Sequence, residues 1–209
     1  MRLLSLQAGR PKQHEDGFRT GYGKEPVAGP VRVFKGHLDG DWQADRRYHG
    51  GPDMAVLAYA ASHYPHWREQ LDWPSLPHGG FAENCTVEGA TEEDTCIGDV
   101  WRVGSASLQV SSPRKPCRTI ARYWRKPELL RLVEESGRFG WYLRVLEEGA
   151  IESGQEIALL QRPHPEWSVA RAMRIARERK REPEPARELG ALAALSDRWK
   201  AFLRGEAKV

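Results

Sequence analysis

From Cys85 to Leu160 the chain is a succession of short runs with the character of β-strands. Cys85–Val87, Val100–Val103, Ser107–Ser111, Trp141–Leu146 and Glu156–Leu160 are such runs, and Ile97-Gly98-Asp99, Gly104-Ser105 and Gly149 punctuate them. Many short strands divided by turn residues predict a barrel or sandwich, because each strand must bury one face against neighbours reached through tight turns. Ahead of this region, Arg2–Ala8 reads as an opening strand and Gly9–Pro26 as a loop. Val27–Leu38 alternates apolar and polar residues as one half-buried strand bent at Gly29-Pro30, and Ala55–Tyr59 is an uninterrupted apolar run. Gly21-Tyr22-Gly23 lacks the third glycine and the following helix that a dinucleotide loop requires.

Helices interrupt this pattern. Ser62 can cap one that runs through Trp67 to Leu71, and an insertion supplies Cys117–Trp124 and Pro127–Ser136, the latter with Gly137 at its stop. After Pro163-His164-Pro165 the texture turns helical: Ser168–Arg181, then Ala186–Leu195 beyond the breakers Pro183 and Pro185, then a helix from the Ser196 cap through Leu203. The reading is therefore mainly β (α+β), with a strand-rich unit over 1–163 and a small three-helix unit over 164–209.

With 40% hydrophobic residues in 209, the chain is neither disordered nor collagen-like. No window approaches the ~18 uncharged apolar residues of a membrane helix, and the N-terminal apolar stretch is too short for a secretory leader. The formal charge is +3. Acids interleave the basic run Arg171–Arg181 and no aromatic side chains stand among its cations, so a solvated helix face is expected there and nucleic acid is not. Cys85, Cys96 and Cys117 form neither a C-x-x-C pair nor a zinc pattern, which predicts free thiols in the cytoplasm. Cys85 and Cys96 read as small buried hydrophobes.

The chemistry concentrates in Ser111-Ser112-Pro113-Arg114-Lys115-Pro116-Cys117-Arg118. Two prolines stiffen this loop, and Cys117 lies among cations where a helix opens, a setting that favours thiolate and attracts phosphate. Two more segments have a chemical look. His49-Gly50-Gly51-Pro52-Asp53 joins a histidine to glycines that let backbone N–H groups approach a ligand. Gly79-Gly80-Phe81-Ala82-Glu83-Asn84-Cys85-Thr86-Val87 sets Glu83 and Asn84 just before a strand.

These segments, with Cys96-Ile97-Gly98-Asp99, Gly140-Trp141-Tyr142-Leu143-Arg144-Val145 and Pro163-His164-Pro165-Glu166-Trp167, occur in an order that resembles the MOSC domain. That module is named for the C-terminal part of molybdenum-cofactor sulfurases, and the resemblance is to its free-standing bacterial YiiM-like branch over essentially the whole chain. It implies a β-barrel-like fold that binds the molybdenum cofactor (Mo-molybdopterin), with Cys117 as metal ligand. It also implies reduction of N-hydroxylated compounds such as N-hydroxylated purine bases, with electrons from a separate reductase. Cys117 and His49 are the expected catalytic residues. Arg114, Lys115, His49, Gly50, Gly51, Asn84, Glu83, Arg118 and Arg144 are the expected cofactor contacts, the cofactor phosphate serving as the anion for Arg144. Trp141 would wall the site, and Leu146, on the face of Arg144, would be buried. Ala82 stands where the family usually has glycine, so a slightly different turn is expected. A second class of function stays open: a persulfide carrier on Cys117, or a module that only binds cofactor.

Overall fold

The computed structural model describes residues 1–14, 16–45 and 49–207. The chain opens with β1 (Arg2–Ala8), the short pieces β2 (Lys12–Gln13), β3 (Arg19–Thr20) and β4 (Glu25–Pro26), and the hairpin β5 (Val31–Phe34) and β6 (His37–Leu38). After a 3-10 turn at Pro52–Met54 come β7 (Val56–Ala60), α1 (His63–Gln70), β8 (Cys85–Glu88), β9 (Val100–Val103) and β10 (Ala106–Pro113). Then follow α2 (Thr119–Trp124), α3 (Leu129–Ser136), β11 (Trp141–Glu147), β12 (Gly149–Ile151) and β13 (Ile157–Gln161). Three helices close the chain: α4 (Val169–Glu178), α5 (Pro183–Ala191) and α6 (Asp197–Leu203).

Eight strands form one mixed sheet in the order β13-β9-β10-β11-β7-β8-β1-β4. Within it β7 and β8 run parallel, Ala58 opposite Cys85. The sheet curls until its ends meet: Leu3 N donates to Gln155 O at 2.9 Å and Ile157 N to Met1 O at 2.9 Å, so the start of β1 lies against the start of β13. A smaller sheet, β12-β5-β6, stands beside it. The result is an α+β fold built on a curled, barrel-like sheet.

Side chains on the inner face of this curl, Leu6, Val56, Trp101, Leu108, Trp141 and Leu143 among them, are excluded from water. The closing helices add Val169, Ala172, Ile175, Leu189, Leu195 and Trp199 to the same continuous core. Each fully buried valine, leucine or isoleucine among them contributes roughly 1.5–3 kcal/mol against exposure, which holds the closing segment against the sheet.

Several expectations are corrected. Val27–Leu38 is not one bent strand; Lys35-Gly36 turns it back, and Val33 pairs with Leu38 within the hairpin. Pro183 and Pro185 do not precede α5 but begin it, since the first helical turn needs no N–H donors. The loop Gly9–Pro26 contains β2, β3 and β4, and Gly149 opens β12 rather than only turning the chain. Leu146 is exposed at 37%. Ala82 keeps the glycine-like turn, with φ at +62°, instead of altering it.

Candidate functional site

β10 ends at Pro113, and the next residue carries the main charge of the site. Arg114 N donates to Gly140 O at 3.0 Å, which extends the β10–β11 pairing and turns the side chain inward. The guanidinium is 3% exposed. Its Nη1 donates to Phe139 O at 3.4 Å and its Nη2 to Tyr22 Oη at 3.2 Å. Both partners are neutral, and no carboxylate among the described residues pairs with it. Burial works against the charge, but Tyr22, Cys117 and Tyr142 around it hold Arg114 protonated. Its hydrogen bonds go only to neutral groups and the one anionic group acting on it is the Cys117 sulfur, so the buried guanidinium keeps attraction for a further anion.

Cys117 lies three residues on, half-buried, between the buried Pro116 and the exposed Arg118. Burial pushes its thiol up. The hydrogen bond from His49, the charge of Arg114 and the hydroxyl of Thr119 outweigh that and hold it down at about 6. At neutral pH the sulfur is a thiolate, the form that ligates soft metals and attacks electrophiles. α2 starts only at Thr119 and is short. Neighbouring groups rather than the helix therefore set the acidity of Cys117.

His49 reaches Cys117 from a loop with an unusual backbone. Gly50 and Gly51 have φ of +104° and +89°, values that side chains strain to adopt. A Cβ at Gly51 would meet nothing within 4 Å, so its backbone faces open space. Arg144 holds the far end of this loop: its Nη2 lies 2.8 Å from Asp53 Oδ1. The anion expected for Arg144 is thus Asp53 of the chain itself, not a cofactor phosphate.

Glu83 and Asn84 are buried, and their polar atoms serve the fold. The Glu83 carboxylate accepts from Gly79 N at 2.8 Å, Phe81 N at 3.1 Å, Thr86 Oγ1 at 2.9 Å and the Tyr64 hydroxyl. Asn84 takes Leu57 N on its carbonyl at 3.0 Å and donates to Gln7 O at 3.2 Å. Both enter the account as residues that position the loop behind the site. Lys115 and Arg118 are exposed at its rim. Trp141 is not a site wall: it is fully buried and packs edge-on to Trp101 at 6.0 Å.

Sequence reasoning passed over Tyr22. It belongs to the Gly-Tyr-Gly segment excluded as a dinucleotide loop, yet its hydroxyl meets Arg114 from 92 residues away in the chain. Burial pushes its phenol up, so it stays a neutral partner. A tyrosine between two glycines in a charged loop was the available signal. Thr119 was passed over as well.

The residues fit a large anionic group that brings its own metal. No cluster of three or more His, Cys, Asp or Glu side chains among the described residues could hold a bare ion. Cys117 would therefore be a single protein ligand to a metal whose other ligands arrive with it. Arg114 acts on the Cys117 charge from nearby, and the Ser112 hydroxyl of β10 is buried with no partner.

Residues 45–158 match the MOSC domain. The chain is 42% identical over 202 residues to the uncharacterized protein YflK of Bacillus subtilis (strain 168), covering 95% of this chain and 91% of that one. It is 37% identical over 182 residues to a protein named Reductase from Gibberella moniliformis, covering 85% of this chain but only 32% of that longer protein. The crystal structure of YiiM from Geobacillus stearothermophilus superposes with a TM-score of 0.85 at 33% identity, covering 99% of each chain. No helix of the described residues is long and apolar enough to cross a membrane.

Proposed function

The chain belongs to the MOSC family, and from that premise we propose that it is a molybdenum-cofactor-dependent oxidoreductase that reduces N-hydroxylated compounds to amines. The observation that carries the reading is the pairing of a half-buried thiolate, Cys117, with a buried guanidinium, Arg114, that no carboxylate among the described residues neutralises. A soft anionic sulfur beside an anion receptor suits a metal that arrives on a phosphorylated organic ligand. The name of the longer relative, Reductase, supports the redox class.

The overall change is R–NHOH + 2 e⁻ + 2 H⁺ → R–NH₂ + H₂O. When bound, the cofactor supplies the two-electron oxygen-transfer chemistry at its metal. Cys117 would offer the ligating sulfur, and Arg114, oriented by Tyr22 and Phe139 O, would neutralise the phosphate. Lys115 and Arg118 add positive charge at the entrance, and the Gly51 backbone, which faces open space, can approach the ligand without side-chain obstruction. His49, which donates a hydrogen bond to Cys117 in the free protein, would be placed to donate a proton at the substrate oxygen. Electrons come from a separate reductase, because the chain has no flavin, haem or iron–sulfur motif. The free cysteines suit a cytoplasmic setting.

The half-exposed thiolate also favours a second reading, a carrier that holds sulfur as a Cys117 persulfide. Molybdenum-loaded protein given a reduced viologen and N-hydroxylated adenine separates the two. Our reading expects adenine to form and Cys117→Ala to abolish its formation. No turnover by loaded protein would overturn it and leave the carrier.

A further inference from the structure

Asp53 receives more bonds than a turn residue needs. Its Oδ1 takes Arg144 of β11 at 2.8 Å, its Oδ2 takes the backbone N–H of Asp197 at 3.2 Å, and its carbonyl takes Ser111 Oγ of β10 at 2.5 Å. Asp197 is the first residue of α6, and the residue before it, Ser196, donates its own N–H to Ser111 O at 2.9 Å. One residue thus ties β10, β11 and α6 together, the last two through its carboxylate, behind the loop whose other end carries His49.

We propose that α6 is part of the site's machinery: through the Asp197 N–H on Asp53 it sets where the Gly50-Gly51 loop holds His49 against Cys117. Asp53, Arg144 and α6 are positioning elements in this account, since none of them need touch a ligand. Gly50 and Gly51 have positive φ and no side chain to pack. The bond from His49 N to Asp45 O at 2.9 Å holds the start of the segment and that from Met54 N to Gly51 O at 3.0 Å closes its turn. At its far end the fixing bonds come from beyond the loop, from β10, β11 and α6. The inference rests on reading His49 and Cys117 as the site, but not on the reaction proposed for them.

The backbone at α6 permits a selective test. Ser196 has φ −61° and ψ 144°, the conformation that a residue before proline adopts, and Asp197 occupies the helical position where proline is best tolerated. Asp197→Pro therefore removes the one N–H that bonds Asp53. Asp197→Ala removes the same exposed side chain and keeps that N–H.

In the cofactor-free protein, amide exchange is followed at Met54, whose N–H bonds Gly51 O at 3.0 Å, together with the rate of Cys117 alkylation at one fixed pH. The proline variant should exchange about tenfold faster at Met54, as expected for losing a charge-assisted hydrogen bond, and should alkylate at a changed rate. The alanine variant should match the parent in both. Asp53→Asn, which cannot satisfy Arg144 and the Asp197 N–H together, should loosen the loop in the same way and serves should the proline variant fail to fold. Parent-like exchange in Asp197→Pro or, failing that, in Asp53→Asn would overturn the proposal, and so would equal effects of proline and alanine. Absence of catalytic turnover would overturn the proposed reaction and leave this result standing.

Discussion

At the scale of single residues, Cys117 and Ala82 are each held in a state that their residue type does not prefer. Burial opposes the Cys117 thiolate, and His49, Arg114 and Thr119 more than offset it. Its alkylation by iodoacetamide should therefore follow a pH profile with a midpoint at about 6, and His49→Ala should move that midpoint upward. The same depression ties stability to pH. A thiol held below its unfolded value, near ~8.5, contributes stability fully above that value and loses it as pH falls through about 6. Cys117→Ser should flatten this part of the profile in thermal melts of the cofactor-free protein. Ala82 holds φ at +62°, which costs a Cβ-bearing residue about 1 kcal/mol. Ala82→Gly removes that strain while the freer unfolded glycine takes back roughly 0.4–1 kcal/mol, so a net gain of at most about half a kcal/mol is expected. A clearly lowered melting temperature would contradict the strain.

At the scale of elements, what could be read in the sequence was what is encoded locally. Ser168 and Ser196 cap α4 and α6 through side-chain bonds from Arg171 N at 3.1 Å and Trp199 N at 3.4 Å, a signal confined to a few adjacent residues. β1, β8, β9, β10, β11 and β13 follow the same logic of pattern and turn. The hairpin β5–β6 was missed because its turn, Lys35-Gly36, is weak beside the bend signal at Gly29-Pro30. Site chemistry was legible by residue type but not by orientation. Arg144 finds Asp53, and Asn84 bonds Leu57 of β7 and Gln7 of β1, because partners far apart in sequence decide which way each side chain faces, while Glu83 spends its bonds mainly on the loop before β8. Gly140 illustrates an element-level constraint of this kind. It has φ +82°, and a Cβ there would lie 2.5 Å from Ala58 O on the neighbouring strand β7. Gly140→Ala should cost about 2 kcal/mol or more by denaturant titration, since backbone rather than a flexible side chain must yield. A change within experimental error would mean that β7 and β11 part more easily than their pairing implies.

At the scale of the whole molecule, the curled sheet brings four distant stretches of chain to one place. Tyr22 comes from the N-terminal loop, His49 from the glycine turn, Arg114 and Cys117 from the loop after β10, and Asp53's anchor from α6. No continuous motif contains that set, which is why the individual segments looked only suggestive in sequence. The arrangement has one chemical theme: a thiolate and a buried cation that act on each other, with His49, Tyr22 and Phe139 O rather than a carboxylate holding them. The most direct measurement is the molybdenum content of the protein purified from a host that makes the cofactor, beside Cys117→Ala prepared identically. The account predicts about one molybdenum per chain in the parent and little in the variant, because a single soft ligand completes the metal's coordination. Absence of molybdenum from both, or equal amounts in both, would contradict it.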